Sequence, residues 1–426
     1  MQLPSNHPLR ITLNDEAHAR PPEVLSAPLR LTFLALYSDD SQREREWAHM
    51  CALARRFGVT PPPQASHYSA DLGSFRMTWE RHSEFTRYMF IVAGASGEPF
   101  DAPALQAVPE DWLAELPGQL MVATHAALLT TPPGTQDPDA LASRHFAGNV
   151  LVGAGIGGGS ATGLTDFRIR DGFSRLLVLD HGMTTRQAGR MMQRLFEIDT
   201  YRLMALLALP VAQALTPWLT TAERELAQIT AQLMESTEAD EPVLLDRLTR
   251  LEAEIESRVS ANHFRFTAAT AYYELVQRRI GELREVRIQG LQTFQEFTER
   301  RLAPAMNTCR SVSARLEALS RRVARATQLL STRVDVSRER QNQQVLESMN
   351  RRAEAQLRLQ QTVEGLSAAA ITYYVVGLVG YAAKGLASAG WPVNVELAMA
   401  ISIPVVALAA MLGVRHVRKV VTRAAR

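Results

Sequence analysis

Apolar and polar positions change their spacing several times along the chain. Leu29 to Tyr37 (LRLTFLALY) is an apolar run of strand length, the pattern of a buried strand. Asp39 to Phe57 turns to helical spacing, with Trp47, Met50, Leu53, Ala54 and Phe57 on one face and Gly58 closing it. Phe75, Met77 and Trp79 alternate, and with Phe85 to Val92 they read as a pair of strands. Leu120 to Leu129 is a further apolar strand, followed by the loop TTPPGTQDPD. Thr165 to Ile169 and Leu176 to Asp180 flank Arg170-Asp171-Gly172 as the arms of a hairpin. The pattern predicts an α/β domain over residues 1–183, with a mixed, largely antiparallel sheet carrying helices.

After Thr184 the period becomes helical. Thr184 to Leu215 reads as helix, and its apolar run Leu203 to Leu209 is too short to cross a bilayer. From Thr220 to about Val363 the chain is helical and charged, with breaks expected at Ala239 to Pro242 and around Pro304. Leu316, Leu319, Val323, Ala326 and Leu330 follow 3-4 spacing, a seam for a partner helix or coiled coil. No proline interrupts Ala305 to Ala383, so one helix of roughly 120 Å is expected there. Residues 184–363 are therefore assigned to a helical stalk domain.

The last change is to two stretches without charge, residues 365–383 (GLSAAAITYYVVGLVGYAA) and 397–414 (LAMAISIPVVALAAMLGV). Each is about the length that crosses a hydrocarbon core of roughly 30 Å. Arg351, Arg352 and Arg358 precede them. Arg415, Arg418, Lys419, Arg423 and Arg426 follow, and the connector KGLASAGWPVNVE holds one Lys and one Glu. Basic flanks on one side predict a transmembrane hairpin over 364–426 with both termini cytoplasmic. Tyr381 and Trp391 fall where an aromatic belt would lie, and Lys384 would snorkel to the same interface.

Composition adds exclusions. A formal charge of +2 argues for neither nucleic acid nor an acidic partner, and Cys51 and Cys309 stand too far apart for a cysteine metal site or a disulfide scaffold. The N-terminal segment lacks a basic stretch followed by an apolar core, so no signal peptide is expected. The arginine-rich stretch Arg310 to Arg358 reads as a solvated rod meeting anionic lipid heads, with an anion-attracting vestibule as the sharper alternative. Gly153-Ala-Gly155-Ile-Gly157-Gly158 matches G-x-G-x-x-G, but no helix opens behind it, so a flexible loop between strands is expected instead of a dinucleotide site. In LNDEAHARPPE (Leu13 to Glu23), Asn14 or Asp15 can cap a single turn ended by Pro21-Pro22. Glu16 and His18, two apart, would face different sides of a helix. Asn14, Asp15, Glu16, His18 and Arg20 are read as a structural or subunit contact, with no metal, no cofactor and no catalytic residue assigned. His18→Ala would leave metal content unchanged. No nucleophile-base pair, P-loop or H-E-x-x-H occurs, so an enzyme is not expected.

HPLR followed by LNDEAHARPPE, then TDFRIRDGFSRLLVLD and YYVVGLVGYAAKG, resembles a bacterial family of uncharacterised membrane-anchored proteins, over nearly the whole chain. The resemblance implies a bacterial inner-membrane location and brings no activity. A looser, architectural likeness is to the CorA-type metal-ion transporters, which are pentamers. VDVSRERQNQQVLESMNRR is similar to their stalk, but Gly380 to Gly385 lacks their Gly-Met-Asn signature, so magnesium transport is not carried over. The first reading is a membrane-anchored homo-oligomer, pentameric if the likeness holds, conducting an ion along Glu364, Ser367, Ile371, Tyr374, Leu378 and Tyr381. The second is a non-conducting anchored scaffold or binding module for a small cytoplasmic ligand. The lipid bilayer is the partner in both, and nucleic acid in neither.

Overall fold

A computed structural model describes residues 5–11, 13–14, 22–63, 65–132, 134, 137–390, 392 and 394–424, with side chains to 416. The chain divides into two compact units: Met1–Glu235 with Asp246–Thr327, and Ser236–Leu245 with Gln328–Arg426.

The first unit is built on an eight-stranded sheet. Its strands are β1 (Leu29–Tyr37), β2 (His67–Asp71), β3 (Arg76–Arg81), β4 (Phe85–Ala93), β5 (Gln119–Thr130), β6 (Val152–Ile156), β7 (Ala161–Thr165) and β8 (Ser174–Asp180). Their order is β2-β3-β4-β1-β5-β8-β7-β6. Every pair is antiparallel except β5 with β8. The mixed, largely antiparallel α/β sheet expected from the sequence is present.

β1 sits at the centre, and its apolar run is explained by cover on both faces. Leu34 and Leu36 point into a core with Met50 and Leu53 of α1 (Arg43–Arg56), Trp79, Tyr88, Phe90 and, from α2 (Glu110–Ala114), Trp112. A smaller cluster around Phe146 and Leu177 continues the layer beside α3 (Pro138–His145). Phe33 faces the other way and stacks on Phe196 of α4 (Thr185–Leu206), ring centroids 4.6 Å apart. β3 is buried on both faces. Met77 and Trp79 enter the apolar core, while Thr78 and Glu80, which alternation assigns to water, are buried as well. Helices cover that second face too.

The glycine-rich stretch is also more ordered than a flexible loop. Gly153 and Gly155 lie within β6, which pairs with β7 through a turn at Gly157–Gly159. A Cβ on Gly153 would stand 2.6 Å from the Gly163 carbonyl oxygen, so only glycine allows that approach. The strand expected over Thr165 to Ile169 ends at Thr165. Beyond it Asp166, its side chain fully buried, accepts hydrogen bonds from Asn149 (3.0 Å) and the Arg168 amide (3.2 Å) and pairs with Arg170. The TDFRIRDGF motif is thus a braced corner leading to β8, and a local carboxylate–guanidinium pair has displaced the ladder.

Helices follow the sheet: α5 (Ala208–Glu235), α6 (Glu241–Leu283), α7 (Phe294–Arg301), α8 (Ala303–Ser388) and α9 (Val395–Ala424). The breaks at Ala239–Pro242 and Pro304 fall where expected. A third break, residues 284–293, was not foreseen. There the chain bridges the exposed edge of β6, Gly155 with Val286 and Val152 with Gln292, so the sheet edge is covered. Leu316, Leu319 and Val323 are buried as the 3-4 seam predicts, and beside them Arg315 binds Glu223 of α5 at 2.8 Å.

In the second unit, residues 236–245 pack on α8. Arg333 pairs with buried Glu241 at 2.5 Å, and Ser337 donates to Glu238 at 3.1 Å. Among the described residues, three helical stretches are long and apolar enough to cross a membrane: Thr185–Glu235, Ala303–Ser388 and Val395–His416. The first corrects the expectation from Leu203–Leu209, because apolar residues continue through Leu219. A third of that helix's most apolar window is buried inside the first unit, against none for the last helix.

Candidate functional site

Under α4 and α6, charge is concentrated where the sheet's second face should be apolar. Glu80 on β3 and Arg87 on β4 are neighbours across the strand pair and form an ion pair. Arg87 also reaches Glu197 of α4 at 3.2 Å. Glu197 accepts from Gln193 at 2.8 Å and pairs with Arg279 of α6, which binds Glu282 at 2.9 Å, and Glu282 binds Arg194 at 2.9 Å. The series Glu80–Arg87–Glu197–Arg279–Glu282–Arg194 alternates in sign and joins two strands to two helices. Arg265 adds a second clasp, bidentate to buried Glu84 at 2.8 and 3.0 Å.

The extended residues 22–26 cross beside this cluster. Leu25 is buried and its amide donates to the Thr185 carbonyl at 3.1 Å. Glu23 accepts from Ser69 (2.6 Å) and Thr78 (3.0 Å) and lies 3.6 Å from Arg76. Glu23, Glu80, Arg87 and Gln193 share a cavity of about 30 Å³, room for little beyond ordered water. The cluster therefore clamps elements together and leaves no room for a substrate.

Electrostatics agree. Burial alone would raise the Glu80 carboxyl, but His82 and the Arg87 guanidinium outweigh it and hold it at about 2. Burial would lower Arg87, and the two carboxylates beside it reverse the sign. Tyr201, desolvated next to Glu197, is pushed up to about 12. With the folded Glu80 carboxyl near 2 and its ordinary value at 4.5, its contribution is complete above about pH 4.5 and lost as pH falls through about 2. About 3 kcal/mol is involved. Urea midpoints measured across that window should fall steeply in the wild type and less steeply in Glu80→Gln, and equal slopes would refute this assignment.

The second candidate is in the hairpin. Glu364, Thr372, Tyr374, Leu378 and Tyr381 of α8, with Met399 and Ile403 of α9, line a groove of about 1130 Å³. Four of the six stripe residues thus share one groove, while Ser367 and Ile371 are not part of its lining. Tyr374 and Tyr381 are 72% and 77% exposed, so the single chain leaves them bare. Glu364 accepts from Gln360 at 3.3 Å. Asn14 lies in an exposed turn, while Asp15, Glu16, His18 and Arg20 lie outside the described residues, as does Trp391.

Glu80, Arg87, Glu197 and Arg279 belong to no motif in the sequence. A signal existed, since Glu80 and Arg87 interrupt strand-patterned stretches and Glu197 stands amid the apolar run of LFEI. Residues 5–421 match the model of a family described as "Protein of unknown function (DUF3422)". No curated protein matches the chain. The family match lends no support to the likeness to metal-ion transporters.

Proposed function

We propose, for a chain that belongs to this family, a membrane-anchored homo-oligomer of the bacterial inner membrane, with its C-terminal hairpin in the bilayer and its α/β unit and both termini in the cytoplasm. It acts as an assembly and not as an enzyme. The observation that carries this reading is the bareness of α8: every residue from Arg338 to Val363 is exposed. A lone helix is marginally stable in water, and helices in proteins draw most of their stability from packing a face. Val345, Met349, Arg352, Gln356, Leu359, Val363 and Leu366 repeat at 4-3 spacing along this segment, the seam of a left-handed coiled coil, with Arg352 and Gln356 as polar positions that set register. Val345, Met349 and Leu359 are 58%, 61% and 66% exposed, so the seam is unfilled in one chain and fits the same seam of another copy. Past it, exposed Tyr373, Leu397, Ile401, Val405 and Leu408 present the apolar surface that lipid covers.

Two measurements test this. The full chain should stay in the membrane pellet after alkaline carbonate, and recovery in the supernatant without detergent would end the anchor. Met349→Glu with Leu359→Glu should dissociate the detergent-solubilised assembly, read by light scattering. A wild-type monomer would refute the oligomer.

A second reading, an ion conduit, is favoured by the polar groups of the hairpin groove, Glu364, Thr372, Tyr374 and Tyr381, because polar side chains in lipid turn to protein or water. Ion flux into liposomes distinguishes it. Absence of conductance for every cation and anion tested, from a well-folded oligomer, leaves the anchored scaffold.

A further inference from the structure

Arg190 and Arg194 of α4 and Arg278, Glu282 and Arg284 at the end of α6 line one surface cavity of about 420 Å³ in the first unit. Their charges do not cancel. Glu282 is occupied by Arg194 and by Arg279 from the buried series. Among the described residues no ion pair engages Arg190, Arg278 or Arg284, and all three are exposed. Four guanidinium groups against one carboxylate leave the lining at +3.

A helix C-terminus ordinarily repels anions through its free carbonyls. Here those groups are engaged. Arg194 donates to the Glu282 carbonyl at 3.2 Å, the Gly157 amide to Leu283 at 2.7 Å and the Gly158 amide to Arg284 at 3.2 Å. The glycine turn that resembled a phosphate loop therefore spends its amides capping α6, and the arginines beside it keep their positive field. Arg284 has φ 49°, in the left-handed region that residues with side chains seldom adopt, and this is the conformation in which it lines the cavity.

We propose that this cavity binds a diphosphate-bearing anion. Guanidinium groups present paired N–H donors that match phosphate oxygens, and three unspent positive charges match a pyrophosphate group. The phosphates could be those of a soluble compound or of a lipid headgroup, and the site is independent of the oligomer seam.

The test uses the full chain in detergent, with pyrophosphate, the short-chain lipid geranyl diphosphate and citrate titrated as probes. Pyrophosphate or the short-chain lipid should bind saturably, more weakly as salt rises. Arg190→Gln with Arg284→Gln should weaken that binding at least tenfold, while Arg45→Gln with Arg55→Gln, exposed on α1, should not. A soluble ligand is indicated if pyrophosphate binds the tighter of the two, a lipid headgroup if the geranyl diphosphate does. The assignment falls if neither probe saturates, if citrate binds as tightly, or if both double variants lose binding equally. Unfolding midpoints confirm that the exposed substitutions leave the fold intact. Should the first pair unfold early, Arg278→Gln alone carries the test, with a severalfold loss expected.

Discussion

Arg87→Met is expected to destabilise the sheet unit by about 3–5 kcal/mol, the usual result of removing one member of a buried ion pair. Arg87 is 8% exposed and stands between Glu80 and Glu197, themselves 5% and 4% exposed. Methionine fills much of the same volume, so lost packing is small. What remains is two carboxylates near each other without a cation between them. Their repulsion is then relieved only by drawing water into a cavity of about 30 Å³. The loss should shrink when Glu80→Leu and Glu197→Leu are added, because a well-packed apolar replacement of a buried ion group is often neutral or stabilising. Urea midpoints of the detergent-solubilised protein decide it. A single variant within about 1 kcal/mol of wild type would show that the cluster is hydrated and loosely held.

Gly189→Ala should also destabilise, against the local rule. In an open helix interior alanine gains roughly 1 kcal/mol over glycine. At Gly189, inside α4, a Cβ would stand 1.6 Å from the Glu23 carbonyl oxygen, a backbone atom with no rotamer to relieve it. Residues 22–26, which strap across α4 here, must lift. Burial of Leu25, worth about 2–3 kcal/mol, is lost with it, as are the Ser69 and Thr78 hydrogen bonds to Glu23, at about 1 kcal/mol each. The net expected loss is about 2–4 kcal/mol, accompanied by faster proteolysis near Val24. A variant more stable than wild type, with the strap still protected, would show that this contact is not tight in solution.

Both predictions concern features that no local pattern announces. β1, β4, β5 and α1 were legible because apolar spacing records which face of an element is covered, and so were the two apolar stretches near the C-terminus. β3 was legible as a strand too, but alternation does not record what covers its second face. Period two places Thr78 and Glu80 opposite the core, and in an isolated hairpin they would meet water. Here α4 and α6 cover them, and the polarity is retained because Arg87, Glu197 and Arg279 arrive from elsewhere. The Arg284 break had a signal that was not read, Gly290 and the capping box of Thr293 with Glu296, while its pairing with the edge of β6 is set by the fold. The tight approach at Gly155 and Val286 explains a glycine that had looked like loop.

The sequence alone determined the kinds of element, the mixed sheet and the two charge-free stretches, since those depend on residues a few positions apart. Tertiary structure decided which charges meet, because Glu80, Arg87, Glu197 and Arg279 come from two strands and two helices. It also decided which glycines are obligatory and where unspent arginines converge. Those outcomes depend on distances set by folding, and spacing along a chain carries no record of them.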